Sequence, residues 1–395
     1  MSLILQYAGT FIFAIQDLSE FLQRLFESAF SATCAVDFLF YIFKLEEIIE
    51  LFDVQERVYT VTNKRIHRKY LVQEYREVIM YFVTTGLVMV GLLIETVLPV
   101  SGRTLNLMST VYRRKYPSRI LPFNVWTPSF IDASEKEYFI TFYLLDVYLI
   151  ILILTMVFGR MMLQTMFPTS LLGQYKMLAE FIKLIGVDHK DKSGETIFYT
   201  DIARGRYFTE TDIIENHRSE ISKQDMILEL RKWAKKDYPI FYVRQIIKRQ
   251  QELEDLTSKY MRYAVSYYSS IFLPLLTIWL LAFYQMVYVK TVPQYNFIKF
   301  VAEFLFTVVS YLHLTIQSER LDDCNGSIQM AINQSRWYNS SPAVRRELYV
   351  LFNSVRKSRQ LSLLGNCVEF TKPGILRYVK MAFSFINFLQ IEGRL

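Results

Sequence analysis

Cysteine is scarce: Cys34, Cys324 and Cys367 are the three in a chain of 395 residues, an odd number spread far apart. That excludes a disulfide framework and a cysteine metal cluster. The motifs of hydrolytic and redox chemistry are missing as well, with no GxSxG, no Walker loop, no HExxH and no CxxC. The four histidines, His67, His189, His217 and His313, are dispersed, and only His313 falls in an apolar run. An enzyme is therefore not expected, and no cofactor or metal is implied. The chain is basic, with a net charge of +7, yet no DNA- or RNA-binding signature accompanies the charge, so nucleic acid is not an expected partner. A cleavable signal peptide is not expected either, because the apolar N-terminus lacks a basic flank and a small-residue cleavage site.

What is abundant is apolar surface. Hydrophobic residues make up 52% and aromatics 16% of the chain without counting glycine, above the 45–50% or so that soluble domains reach with glycine included. A helix needs roughly 20 mostly apolar residues to cross a bilayer. Seven stretches qualify: Leu3–Leu22, Phe26–Phe43, Val78–Val100, Tyr138–Phe167, Ala264–Val289, Phe297–Ile316 and Ile375–Leu389. The expected fold is an all-α membrane protein, a seven-transmembrane helical bundle in the lipid bilayer. Residues 1–165 hold spans one to four with an outer loop at 101–137. Residues 166–263 form a long connection, 264–316 hold spans five and six, 317–374 form a second connection, and 375–395 hold the final span and a short tail.

Orientation follows from lysine and arginine, which concentrate in cytoplasmic loops. Lys44–Glu77, Pro168–Tyr263 and Gln317–Gly374 together hold 32 of the 45. Placing them inside puts the N-terminus inside and the C-terminus outside. Three glycosylation sequons, at Asn325, Asn333 and Asn339, pull the other way because they lie in a connection assigned to the cytoplasm. Within the inner connections, Gln224–Tyr263 and Val344–Leu364 have apolar residues at helical spacing. The first is broken once at Pro239 and the second is expected to end at Gly365. A helix running from Gln245 into the span at Ala264 would project below the membrane and need a partner for its apolar stripe.

Ionisable residues in spans are expensive and often functional. Asp37, Asp146, Lys299, Glu303 and Lys380 are the ones to explain. Lys299 and Glu303 can pair on one helix face or serve a pore or pocket. Asp146 has no neighbouring cation in sequence and must face protein, water or a ligand. His313 reads as a polar residue satisfied by a helix neighbour, or as a ligand or proton relay. The aromatic clusters YFITFYLLDVY and NFIKFVAEFLF suit an interfacial belt or the wall of an apolar small-molecule pocket.

The stretch SERLDDCNGSIQMAINQSRWYNSSPAVRRELYVLF from Ser318, with Trp337-Tyr338-Asn339 followed by Arg345-Arg346, resembles the segment after the sixth span in the insect odorant receptor family. Related insect chemoreceptors carry Thr-Tyr, five apolar residues, Gln and Phe near the C-terminus. Here that frame reads Phe383, Ser384, FINFL, Gln390, Ile391, keeping the spacing and the glutamine. LPFNVWTP at Leu121–Pro128 is similar to the family's loop between spans three and four. The fourth-to-fifth connection lacks the co-receptor's long insertion, so the chain looks like a ligand-tuned member.

The resemblance implies an odorant-gated, non-selective cation channel in the dendritic plasma membrane of a sensory neuron. Its partners would be the odorant, co-receptor subunits in a tetramer, and the permeating cations. The inner helices would be a cytoplasmic anchor holding subunits together. The odorant would sit in the outer half of spans two, three, four and six. Those outer halves carry Phe30 and Cys34; Met89, Leu92 and Thr96; Phe142, Tyr143 and Asp146; and Phe297, Phe300, Val301 and Phe304. The final span would line the pore with Ser384, Asn387, Gln390 and Ile391. Hydrophobic gates close by dewetting, and an Asn387 amide ring would hold water, so this subunit is expected to gate best with the co-receptor. Family members carry a few dozen residues before the first span whereas apolar sequence here starts at Leu3, so the natural start is expected upstream.

Two other functions compete. A secondary transporter would favour internal repeats and Gly- or Pro-broken spans in matching halves, and neither is found. A G-protein-coupled receptor has seven spans but the opposite orientation. Glycosidase treatment tests the orientation: no mass shift is expected at Asn325, Asn333 or Asn339, and a shift at any of them would turn the protein over.

Overall fold

The computed structural model describes residues 11–12, 18–97, 102–122, 131–216, 223–288, 294–363 and 368–391. Helix α1 spans Leu18–Phe43, α2 Leu45–Val58, α3 Lys64–Val97, α4 Gly102–Thr110 and α5 Lys136–Lys183. A hairpin of β1 (Ile197–Asp201) and β2 (Arg206–Thr209) leads to α6 (Glu210–Asn216) and α7 (Lys223–Lys236). Then come α8 (Tyr238–Tyr288), α9 (Gln294–Gln334), α10 (Pro342–Ser354), a short hairpin of β3 (Ser362–Leu363) and β4 (Val368–Glu369), and α11 (Lys372–Ile391). The long helices α1, α3, α5, α8, α9 and α11 carry the second to seventh spans. Glu20–Phe43, Lys136–Lys183 and Tyr238–Tyr284 are each long and apolar enough to cross a membrane.

The first span, Leu3–Leu22, lies mostly outside the described residues, and its end is not where the sequence suggests. Residues 18–43 are one continuous helix through Gln23–Leu25, which reads as an outer turn. The charges that look like a break are neutralised inside the helix: Arg24 donates to Glu20 at 2.8 Å and to Glu27 at 2.6 Å.

Helices α5, α8 and α9 run well beyond their apolar spans and pack on one another. Phe167, Leu171, Tyr175, Leu178 and Ile182 of α5 form a stripe at helical spacing and are buried. They meet Ile246, Leu253, Leu256 and Tyr260 of α8, Leu321, Cys324 and Ile328 of α9, and Val344, Leu348 and Leu351 of α10 in one continuous core. Outside a bilayer, each such side chain of this inner module would contribute about 1.5–3 kcal/mol on full burial. The partner of the α8 stripe therefore comes from this chain. Pro239 is the second residue of α8, in the first turn where proline is tolerated. The hairpin at 197–209 is absent from the helical reading; it pairs Ile197 with Thr209 and Tyr199 with Tyr207.

Helix α10 stops at Ser354, ten residues before the end suggested by periodicity. The following chain is drawn onto α9 instead: the Arg359 amide donates to Asp322 at 2.9 Å and the Leu361 amide to Ser318 at 2.8 Å. The Trp337–Asn339 motif forms an exposed single turn after α9. It is held by the Arg336 amide, which donates to the Ile185 carbonyl at 3.1 Å. Gly186 permits that approach with a φ of +78°, since a Cβ there would lie 2.1 Å from the Arg336 carbonyl oxygen. Of the three sequons, Asn325 is buried and donates to the Lys357 carbonyl at 2.9 Å, while Asn333 and Asn339 are exposed.

At the junction of bundle and inner module, Arg320 of α9 makes a two-point pair with Glu77 of α3, one arm at 2.6 Å. It also donates to Thr169 of α5 at 2.6 Å, and Gln317 donates to Glu77 at 2.9 Å. Removing one partner of such a buried pair strands the other charge, at about 3 kcal/mol. Glu77→Ala is expected to lower the melting temperature in detergent clearly. Lys372→Ala, which removes an exposed lysine paired with Glu319 at 2.7 Å, is expected to leave it unchanged. Equal melting of the two variants would deny the junction its role.

Candidate ligand-binding chamber

The inward face of α5 sets the depth scale. From the outside it presents Phe142 and Tyr143, then Asp146, Ile150, Ile153, Val157 and Arg160, with Asp146 to Val157 at helical spacing. Asp146 and Arg160 are both buried, and a helix places them about 21 Å apart. Between them the packed side chains are apolar. Cys34 of α1, Tyr81 of α3, Ile150, Ile153 and Val157 of α5, and Phe306 of α9 form one buried cluster with Phe30 packed against it. The rings of Phe30 and Phe306 meet edge to face at 6.0 Å. Spans two, three, four and six thus converge on a single apolar centre.

The floor is ionic. Asp37 is fully buried and accepts from Arg160 at 3.1 Å and from the Tyr267 hydroxyl of α8. One level further in, His313 lies 3.3 Å from the Thr165 hydroxyl and 3.4 Å from Gln317, its ring edge-on to Tyr81 at 4.4 Å. These neighbours satisfy the imidazole, as its reading as a structural polar residue requires.

The roof is the outer connection. Helix α4 and the chain after it bury Met108, Val111, Tyr112 and Leu121. Tyr112 donates to Glu20 at 2.7 Å, tying the connection to α1. Arg113 adopts a left-handed φ of 52°, an uncommon conformation for a side-chain-bearing residue, and Arg114 beyond it is buried. Burial pushes the Arg114 guanidinium down to about 10, while Tyr112, Asp132 and Asp146 act against that fall. Arg114 donates to the Arg119 carbonyl at 3.5 Å and lies over the Tyr112 ring at 5.8 Å. The two arms of the connection are stapled by the Tyr116 amide donating to Ser134 at 3.0 Å and Arg119 donating to the Ser134 carbonyl at 2.7 Å.

The sequence-derived candidates fall into groups. Phe30 and Cys34 lie in the apolar centre. Phe142 and Tyr143 sit under the roof against Leu121 and Ala133, and Asp146 lies a turn below them. Phe304 packs toward α8, with Phe26, Ile278 and Leu281, and Val301 is half-buried. The side chains of Met89, Leu92, Thr96, Phe297 and Phe300 lie outside the described residues, as do those of Lys299, Glu303, Gln390 and Ile391. Ser384 and Asn387 are exposed on α11, as is Lys380. Tyr81, Ile150, Phe306, Arg160 and Arg114 were not among the candidates. Arg160 carried a signal, since an arginine at the end of an apolar run calls for a buried acid such as Asp37.

A second aromatic path leaves the chamber. Phe304 of α9 meets Phe283 of α8 at 5.4 Å, and Phe283 meets Phe383 of α11 at 6.0 Å. Span six thus reaches the final helix through span five.

Comparison with known proteins agrees with this geometry. The olfactory receptor OR5 from Machilis hrabei in complex with eugenol is similar at a TM-score of 0.65 and 10% identity, covering 98% of this chain and 87% of that one. A second structure of that receptor is similar at a TM-score of 0.59 and 11% identity, with the same coverage. A search of curated protein sequences finds no match. The profile of the 7tm Odorant receptor family matches residues 17–370. The chain therefore has an insect olfactory receptor fold and belongs to the 7tm Odorant receptor family.

Proposed function

We propose that this odorant receptor is an odorant-gated, non-selective cation channel subunit whose ligand occupies the chamber between Asp146 and Arg160. The observation that carries the reading is the convergence of spans two, three, four and six on Cys34, Tyr81, Ile150 and Phe306 beneath a folded outer connection. Such a site is apolar with a few polar groups, the usual build of a small-molecule pocket. The related receptor was captured with eugenol, and a small apolar ligand is proposed here too.

The final helix α11 is proposed to line the pore. It exposes Leu376, Met381, Phe383 and Phe388 in the single chain, a surface suited to other subunits and to a central axis. Ser384 and Asn387 are exposed on the same helix, consistent with a pore-facing role. The inner module would anchor the subunits of a tetramer with the co-receptor, in the plasma membrane of sensory dendrites.

Gating requires a ligand that binds the open state more tightly, because equal affinity shifts nothing. The proposed route runs from the chamber through Phe304 and Phe283 to Phe383. An aromatic pair is worth about 0.5–1.5 kcal/mol beyond its buried area, so removing the middle ring perturbs two pairs. Phe283→Ala is expected to weaken the coupling roughly ten-fold, read as a rightward shift of the current–concentration curve with unchanged ligand ranking. An unchanged curve would exclude the route.

Ligand-evoked conductance recorded with and without the co-receptor tests the function itself. Current without intracellular nucleotide, stronger in the mixed assembly, is expected; robust current from this chain alone would contradict the minority-subunit role. Tyr143→Ala and Phe300→Ala are expected to reorder ligand preference while leaving assembly intact. Failed assembly would assign both residues to packing.

A further inference from the structure

Beyond the chamber, the inner end of α3 carries a second surface. Lys64, Arg65, Arg68, Lys69 and Arg76 are all exposed and line one groove along this helix. Twelve residues of helix set the first and last about 18 Å apart. The carboxylates of the same stretch do not neutralise them. Glu77 turns inward to Arg320, and Glu74 accepts from Ser170 of α5 at 3.2 Å. Among the described residues none of the five cations is in an ion pair.

Directly outward along α3 the exposed surface becomes apolar. Ile79, Met80, Phe82, Val83, Leu87 and Val90 are each exposed, with Tyr75 at the boundary. An exposed apolar face of that length on a spanning helix meets lipid tails. The cations thus lie where the inner leaflet's headgroups begin. Clusters of four to eight Lys and Arg just inside a span attract anionic lipids.

We propose that the inner end of α3 binds an anionic inner-leaflet phospholipid whose headgroup carries phosphate monoesters, a phosphoinositide. Several cations spaced over more than three helical turns match a headgroup with several negative charges that projects from the membrane; a singly charged headgroup would engage one or two of them. Arg76 is adjacent to Glu77, so the bound lipid holds the same turn of α3 that grips span six. This site rests on the orientation with the N-terminus inside and is independent of how the channel is gated.

Native mass spectrometry of the purified full chain in detergent tests the site, with dioctanoyl phosphatidylinositol 4,5-bisphosphate as the probe. The lipid is expected to bind, and the combined Arg65→Gln, Arg68→Gln, Lys69→Gln and Arg76→Gln variant to weaken it roughly ten-fold or more. Replacing the four arginines and lysines Arg231, Lys232, Lys235 and Lys236 of α7 by glutamine removes equal charge and is expected to leave binding intact. Changing Arg65, Arg68 and Arg76 to lysine keeps the charge and is expected to retain binding, which separates lost recognition from lost folding. Three results would overturn the proposal: equal weakening by the α7 variant, equal binding of dioctanoyl phosphatidylserine, or equal binding of inositol 1,4,5-trisphosphate, which has no acyl chains. An inverted orientation would leave this detergent result unchanged and would show instead as glycosylation at Asn333 or Asn339.

Discussion

Within a bilayer, lipid tails are as apolar as leucine, so the helices of a membrane bundle gain little from the hydrophobic effect when they meet. Close packing and polar cross-links must hold them. In this receptor two cross-links do so at successive depths. Asp37 of span two, Arg160 of span four and Tyr267 of span five form the outer one. Glu77, Thr169, Gln317 and Arg320 join spans three, four and six at the inner one. A charge left alone at either depth would be costly, so each group locks its helices into one register. The outer cross-link lies at the inner end of the apolar centre.

The same constraint divides the molecule into a firm part and a part free to respond. Past the cross-links, α5, α8, α9 and α10 share one continuous buried core. Above them the four chamber helices are held by side-chain contact and by a roof whose arms are pinned through Tyr112, Tyr116 and Arg119. On the proposed function, a ligand entering the upper part would redistribute packing there while the lower part serves as a base. Such a layout lets a small differential affinity act on one element instead of dissipating through the whole chain. The Phe304–Phe283–Phe383 contacts are the place where that element meets the final helix.

Much of this was legible from the residues because membrane helices and amphipathic stripes write their periods into local sequence. The spans from Val78 onward and the stripe through Leu253, Leu256 and Tyr260 follow from spacing alone, and the Trp337–Asn339 turn carried the family resemblance. What escaped was set by partners far away in the chain. Arg160 lies 123 residues from Asp37, and Tyr112 of the outer connection lies 92 residues from its partner Glu20. The early stop of α10 at Ser354 was decided by Asp322 and Ser318 on α9, not by any breaker of its own. The division between Leu22 and Phe26 did not hold because the mutual neutralisation of Glu20, Arg24 and Glu27 cannot be seen without geometry.

This division also accounts for how a fold persists at 10% identity to a receptor whose chain it overlays with a TM-score of 0.65. The requirements are relational. A buried acid needs a buried base at the same depth, an inner helix needs an apolar stripe, and a chamber needs apolar walls. None of these fixes a residue type at a given position, provided the pairing survives. Cys34, Ile150 and Phe306 pack without any charge that ties them to a partner, whereas Asp37 holds both Arg160 and Tyr267, so a change in one of these three leaves the others without a match.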